Sequence, residues 1–121
     1  NMETKFNKKK LEKQANEILK EAEKLGLSKN FFFTTTFERY KMQMEILTEL
    51  EKAIKDNGPT VTREYVKDRP NVVINPAINE YNKTSTACNG TLSSLLKILI
   101  SVDKETGGEG SKLKELLGQF N

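Results

Sequence analysis

The sequence predicts a mainly α protein: a long antiparallel helical hairpin with an additional N-terminal helix and a small β-hairpin between the two long helices. Three observations carry this prediction. Apolar residues recur at three-and-four spacing from Leu11 to Leu25, from Phe33 to Ile54 and from Ile78 to Val102, the mark of one apolar stripe per helix. The period changes to alternation only between residues 60 and 74. Turn residues stand between these runs, at Gly26, at Gly58 with Pro59, and at Asn75 with Pro76. A chain of 121 residues is by default one domain.

The first helix is expected from about Lys5 to Leu25, with Leu11, Ala15, Ile18, Ala22 and Leu25 on its stripe, and Gly26 ends it. After the Leu27 to Asn30 turn, Phe33, Phe37, Tyr40, Met44, Leu47 and Ile54 continue the same spacing into a second, longer helix. It stops at Asp56, Asn57, Gly58 and Pro59, where glycine accepts a left-handed cap and proline cannot continue the ladder. Phe31, Phe32 and Phe33 either staple the turn onto the core or face another subunit.

Val61 and Tyr65 then alternate with Thr60, Thr62 and Glu64, and Val72, Val73 and Ile74 follow a turn expected at Lys67, Asp68, Arg69, Pro70 and Asn71. Two β-rich runs around such a turn read as a hairpin. It needs the helices or a neighbouring hairpin to pack on, because an isolated hairpin is marginal in water. Asn75 and Pro76 are an N-cap acceptor and a favoured first helical residue. The third helix carries Ile78, Tyr81, Cys88, Leu92, Leu95, Leu99 and Val102, with Leu96 and Ile98 beside them. Its other faces are rich in Asn, Ser and Thr and charged only at Glu80, Lys83 and Lys97, a composition suited to close helix contact because little charge must be desolvated. Asp103 to Ser111 reads as a flexible linker, and Lys112 to Phe120 as a short helix with Leu113, Leu116 and Leu117 on its apolar face. The organisation is thus a basic N-terminal helix (1–29), a central helical oligomerisation core (30–102) with the β-hairpin at 60–74, and a linker with a short C-terminal helix (103–121).

Composition removes most chemistry. There is no histidine and one cysteine, so neither a Cys/His zinc set nor an intramolecular disulfide can form, and a reducing cytoplasm fits. Without histidine the usual neutral-pH base and the usual activator of Ser or Cys nucleophiles are missing. No phosphate-binding glycine loop follows a strand. Cys88 lies on an apolar stripe, where free cysteines act as small hydrophobes. Glu45 with Glu49, and Asp103 with Glu105, are read as solvated pairs, not a metal site. No catalytic residue, cofactor or metal is expected. No secretory signal is expected, and the longest apolar run, Leu95 to Val102, is interrupted by Lys97 and Ser101, far short of the roughly 20 residues a spanning helix needs.

What remains is binding. Residues 1–30 hold eight Lys against five Glu, and lysines set against phosphates gain affinity for DNA by releasing counterions. The candidates are Lys8, Lys9, Lys10 and Lys13, joined by Arg63, Lys67 and Arg69 of the hairpin, where arginine can meet phosphate with two donors. The plainer reading makes the first group a solvated helix start and the second a solvated turn. Tyr40, Met44, Leu47, Leu92, Leu95 and Leu99 are the candidates for contact between subunits. The alternative function is a small helical scaffold or regulator that binds only protein.

Four motifs carry a resemblance over a little more than half the chain. They are Phe37-Glu38-Arg39-Tyr40 entering the long helix, Asn57-Gly58-Pro59-Thr60-Val61, Asn75-Pro76-Ala77, and Tyr81-Asn82-Lys83 ahead of Leu92, Leu95 and Leu96. The stretch from Phe37 to Val102 resembles phage terminase small subunits. Many of those end the last long helix in a Gly-Leu-x-Pro turn, where this chain has Ser101-Val102-Asp103-Lys104, and no helix-turn-helix precedes residue 30. The resemblance implies a non-enzymatic subunit in the cytoplasm of a bacterial host. It would assemble into a homo-oligomeric ring, bind double-stranded viral DNA where packaging starts, and pass it to a large terminase subunit, with the C-terminal segment a natural contact for that subunit.

Overall fold

The computed structural model describes residues 8–105 together with Gly107, Glu115 and Gly118. Along the chain run α1 (Lys8–Lys24), α2 (Phe31–Asn57), β1 (Thr60–Val66), β2 (Arg69–Ile74) and α3 (Pro76–Glu105). This is the mainly α architecture the periodicity predicts, three helices with one antiparallel β ribbon between the second and third.

Each boundary has a local cause. Gly26 adopts φ +75°; its N–H donates to the Glu23 carbonyl at 3.1 Å and the Leu27 N–H donates to the Ala22 carbonyl at 2.8 Å. These two bonds form the left-handed helix end that glycine favours. Leu27, just beyond, turns into the core. Asn30 then caps α2, its side-chain oxygen accepting from the Phe33 N–H at 3.1 Å, which satisfies one donor with no intrahelical partner. At the far end Gly58 again has φ +75° and donates to the Ile54 carbonyl at 2.7 Å.

At 1.5 Å per residue, α2 and α3 are about 40 and 45 Å long and α1 only about 25 Å. The two long helices pack antiparallel along each other, and α1 covers one part of them. All buried residues of α2 lie between Phe33 and Leu47, and all those of α3 between Cys88 and Leu99. With Leu11, Ala15, Ile18 and Ala22 of α1 they form one core, in which Phe33 and Phe37 stack at 5.4 Å. Each fully buried leucine there contributes about 2 to 3 kcal/mol of transfer free energy. Beyond the reach of α1, Leu50, Ile54, Ile78 and Tyr81 are only half-buried.

β1 and β2 pair from Thr60 opposite Ile74 to Val66 opposite Arg69, with an irregularity between Glu64 and Val66. They pack chiefly on each other. Every residue of the ribbon is exposed except Val61 and Val73, which are half-buried. Seven residues at about 3.3 Å each make it an arm extending roughly 20 Å from the end of the helical pair.

Two boundaries differ from the sequence reading. The turn is only Lys67 and Asp68, and Pro70 and Asn71 belong to β2. Proline is tolerated there because an edge strand leaves outward N–H groups unpaired. Asp68 takes φ +66°, a conformation aspartate adopts more readily than most residues, and its N–H donates to Glu64 Oε1 at 2.7 Å. Asp103, Lys104 and Glu105, expected in a linker, continue α3, since nothing breaks the helix before Gly107, whose φ is +86°. Residues 5–7 of the expected first helix lie outside the described residues, as does all of the expected C-terminal helix but Glu115 and Gly118, both of which are helical. Among the described residues no helix is long and apolar enough to cross a membrane.

Candidate functional site

The arm is held at its base by one residue. Asn75, 5% exposed, donates its backbone N–H to the Pro59 carbonyl at 2.9 Å and its side-chain N–H to the Gly58 carbonyl at 2.9 Å. Its side-chain oxygen accepts from the Ala77 N–H at 3.0 Å. The residue that caps α3 therefore also closes the arm onto the end of α2.

The register sorts the arm into two faces, since directly opposed residues share a side of the ribbon. Thr60, Thr62, Val72 and Ile74 lie on one face, and Val61, Arg63, Asn71 and Val73 on the other. Arg63 thus stands on the second face, and Lys67 and Arg69 flank the tip. All three are exposed, and no ion pair occupies them among the described residues. Tyr65, Val66, Val72 and Ile74 are between 58% and 71% exposed, so the arm is as apolar as it is basic.

Lys8 begins α1, and Lys9, Lys10 and Lys13 are exposed on it. These lysines do not join the arm. The start of α1 flanks the middle of α2, where Leu11, Glu12 and Ala15 line a groove with Lys41, Met44, Glu45, Thr48 and Glu49, whereas the arm leaves from the end of α2. On α1 itself Lys9, Lys13 and Lys20 alternate with Glu12 and Glu17 around a shallow depression. The field there is mixed in sign.

The six residues expected between subunits are placed inside one. Tyr40, Met44, Leu47, Leu92, Leu95 and Leu99 are all between 0% and 6% exposed and belong to the single core. They are the strongest stripes of α2 and α3, and strong stripes are buried first against the chain's own helices. Of the phenylalanine cluster, Phe33 is in the core while Phe31 and Phe32 are 73% and 72% exposed. Sequence reasoning missed the outward side of α2, where Met42 and Ile46 are 57% and 42% exposed. Their signal was faint, being apolar residues scattered between Arg39, Glu45 and Glu49.

Cys88 is buried, and burial pushes its thiol up to about 11, so it is protonated at neutral pH and a poor nucleophile. Among the described residues no group of three Cys, Asp or Glu is gathered in a way that could hold a metal ion. Three hydroxyls of the weakly charged α3 bond back to its own carbonyls, Thr86 to Asn82, Thr91 to Ala87 and Ser94 to Gly90, at 3.0 to 3.1 Å. They are satisfied without solvent. Compared with known protein families, with curated proteins and with solved structures, the chain matches none.

Proposed function

We propose that this chain is a DNA-packaging adaptor of the terminase small subunit kind. In this reading it is non-catalytic and oligomeric, binds double-stranded viral DNA in the bacterial cytoplasm and recruits a large terminase subunit. The observation that carries the proposal is the arm: Arg63, Lys67 and Arg69 are displayed together on a ribbon that stands clear of the helices. A projecting basic ribbon reaches phosphates without bringing the rest of the subunit close. Further support comes from the extent of the resemblance, Phe37 to Val102, which coincides with α2, the arm and most of α3.

The test is a gel-shift titration of the full chain with duplex DNA at rising salt. Binding that weakens steadily with the logarithm of salt concentration is the expected result. No binding at low salt would end this reading.

The apolar character of the arm favours a second reading, a helical scaffold that binds only protein. Under it, reversing the charge of Arg63, Lys67 and Arg69 leaves every activity intact, whereas the adaptor reading predicts loss of DNA binding.

A further inference from the structure

One large side chain of the arm is left outside its ladder. As far as Glu64 opposite Pro70 the strands pair in regular register, which would next set Tyr65 opposite Arg69. Instead Val66 stands opposite Arg69. This shortens the turn to Lys67 and Asp68 and leaves Tyr65 as the extra residue of a β-bulge. A bulge re-aims a side chain, and such irregularities gather at functional sites. Tyr65 is 70% exposed, and Val66 beside it 58%. Among the described residues no hydrogen bond and no second ring holds Tyr65. Five residues beyond Thr60 on β1, it stands roughly 16 Å from the root of the arm.

The charges around it are sorted by side. Arg69 and Asn71 lie two apart on β2 and so share a face of the ribbon, and Arg63 stands directly opposite Asn71. That face holds both arginines and no acid. Glu64 is on the other face, opposite Pro70, and its Oε1 accepts from the Asp68 N–H at 2.7 Å, so one of its oxygens is occupied at the turn. Asp68 itself sits in the turn with Lys67. A ring set among cations fits a ligand that presents planar rings and anions side by side. Nucleic acid does so at every nucleotide. An apolar protein pocket that took the ring would instead desolvate the guanidinium groups beside it without pairing them.

We infer that Tyr65 wedges into the base stack of duplex DNA from the minor groove, while Arg63, Lys67 and Arg69 hold phosphates beside it. The inference rests on the DNA-binding part of the function proposed above and deepens it by naming a contact with the bases. The minor groove is only about 7.5 Å deep, so an arm roughly 20 Å long brings the ring to the bases without the helices meeting the backbone. A side chain inserted there partly unstacks one step and bends the duplex by about 20 to 90°. The contact tolerates any sequence, because every base has a flat face to stack on. It favours a step that is already weakened, since unstacking costs least at a mismatch.

The experiment uses the full chain and three probes of one sequence: a matched duplex labelled at both ends for energy transfer, the same duplex with one mismatch, and the single strand. The wild type is compared with Tyr65→Phe and Tyr65→Ala, and circular dichroism verifies that helix content is kept. The wild type is expected to bring the duplex ends closer and to bind the mismatched duplex more tightly than the matched one. Tyr65→Phe keeps both properties. Tyr65→Ala loses both, and its affinity for the matched duplex falls about 5- to 100-fold. Its slope of log affinity against log salt stays at the wild-type value, because no phosphate contact is removed. A slope that falls with Tyr65→Ala shows that the ring acts only by holding the cations in place, which overturns the inference. An alanine variant that binds and bends like the wild type overturns it too, as does a wild type that binds the duplex without bending it; DNA binding stands in both cases. Tighter binding to the single strand than to either duplex, lost in Tyr65→Ala, means that the ring stacks on free bases and overturns insertion. A wild type that binds no probe at low salt ends both the inference and the reading it rests on.

Discussion

The side-chain amide of Asn75 donates to the Gly58 carbonyl at 2.9 Å across seventeen positions of sequence, joining the two ends of the arm where α2 stops and α3 starts. The same side chain accepts from Ala77, so one buried residue caps a helix and fixes the root of a ribbon that otherwise packs chiefly on itself. The position of Arg63, Lys67 and Arg69 relative to the helices depends on this junction.

Asn75→Ala is therefore expected to lower stability by about 1 to 3 kcal/mol, because it leaves the Ala77 N–H and the Gly58 carbonyl without their partner in a buried place. Asn75→Asp keeps the acceptor for Ala77 but sets a carboxylate oxygen against the Gly58 carbonyl in a buried place, and near neutral pH should cost at least as much as Asn75→Ala. Urea unfolding followed by circular dichroism checks the order. An alanine variant as stable as the wild type would show that the junction does not depend on this side chain.

Met42 and Met44 carry the same side chain two positions apart on opposite sides of α2, 57% and 5% exposed. Met44→Ala should cost about 2 to 5 kcal/mol through lost burial and the cavity left behind. Met42→Ala should stay within roughly 0.5 kcal/mol in the isolated subunit. Equal costs in dilute, single-subunit samples would contradict the placement of the core.

Much of this fold is legible in the sequence because its punctuation is local. Gly26, Gly58 and the Asn75-Pro76 pair each end or begin an element by a constraint on one or two residues, and the three-and-four spacing between them names the core face of each helix. The end of α3 was harder, since Asp103 to Glu105 are compatible with helix or linker and only the next breaker, Gly107, decides. The turn was misjudged because Pro70 reads as a turn residue, although an edge strand accepts it. The residues expected between copies lie in the core of one chain for a physical reason: the most regular stripe, Tyr40 with Met44 and Leu47, is the one a chain buries against itself. The exposed apolarity of Met42 and Ile46 is weaker and interrupted, and becomes visible only when the core is known.

Alkaline pH should weaken the fold. Burial raises the Cys88 thiol from its ordinary 9.0 to about 11. Burial first, and then the nearby Cys88 charge, raises Tyr40 above its ordinary 10.0. In both cases the folded state favours the neutral form and the unfolded chain gives up its proton first. The stabilisation is complete below about pH 9 and is lost as pH rises through about 11, on the order of 2 kcal/mol for Cys88 alone. The urea midpoint should drop between about pH 8 and pH 10.5, and Cys88→Ala should remove part of that drop. Alkylation of Cys88 at about pH 8 should be slow in buffer and fast in urea; equal rates would place the thiol at the surface.

Charge on the arm should set the salt dependence of DNA binding, if the adaptor reading holds. Each lysine or arginine that meets a phosphate adds about 0.9 to the slope of log affinity against log salt. Arg63→Gln, Lys67→Gln and Arg69→Gln should each weaken binding to any duplex sequence and reduce the slope by about 1, with helix content unchanged because all three are exposed. Lys13→Gln should do less, since Lys13 lies on α1, apart from the arm. A slope reduced by Lys13→Gln but not by the arm variants would move the phosphate contacts from the ribbon to α1. A loss of affinity confined to one duplex sequence would instead make the arginine a reader of base edges, because a phosphate contact weakens binding to all sequences alike.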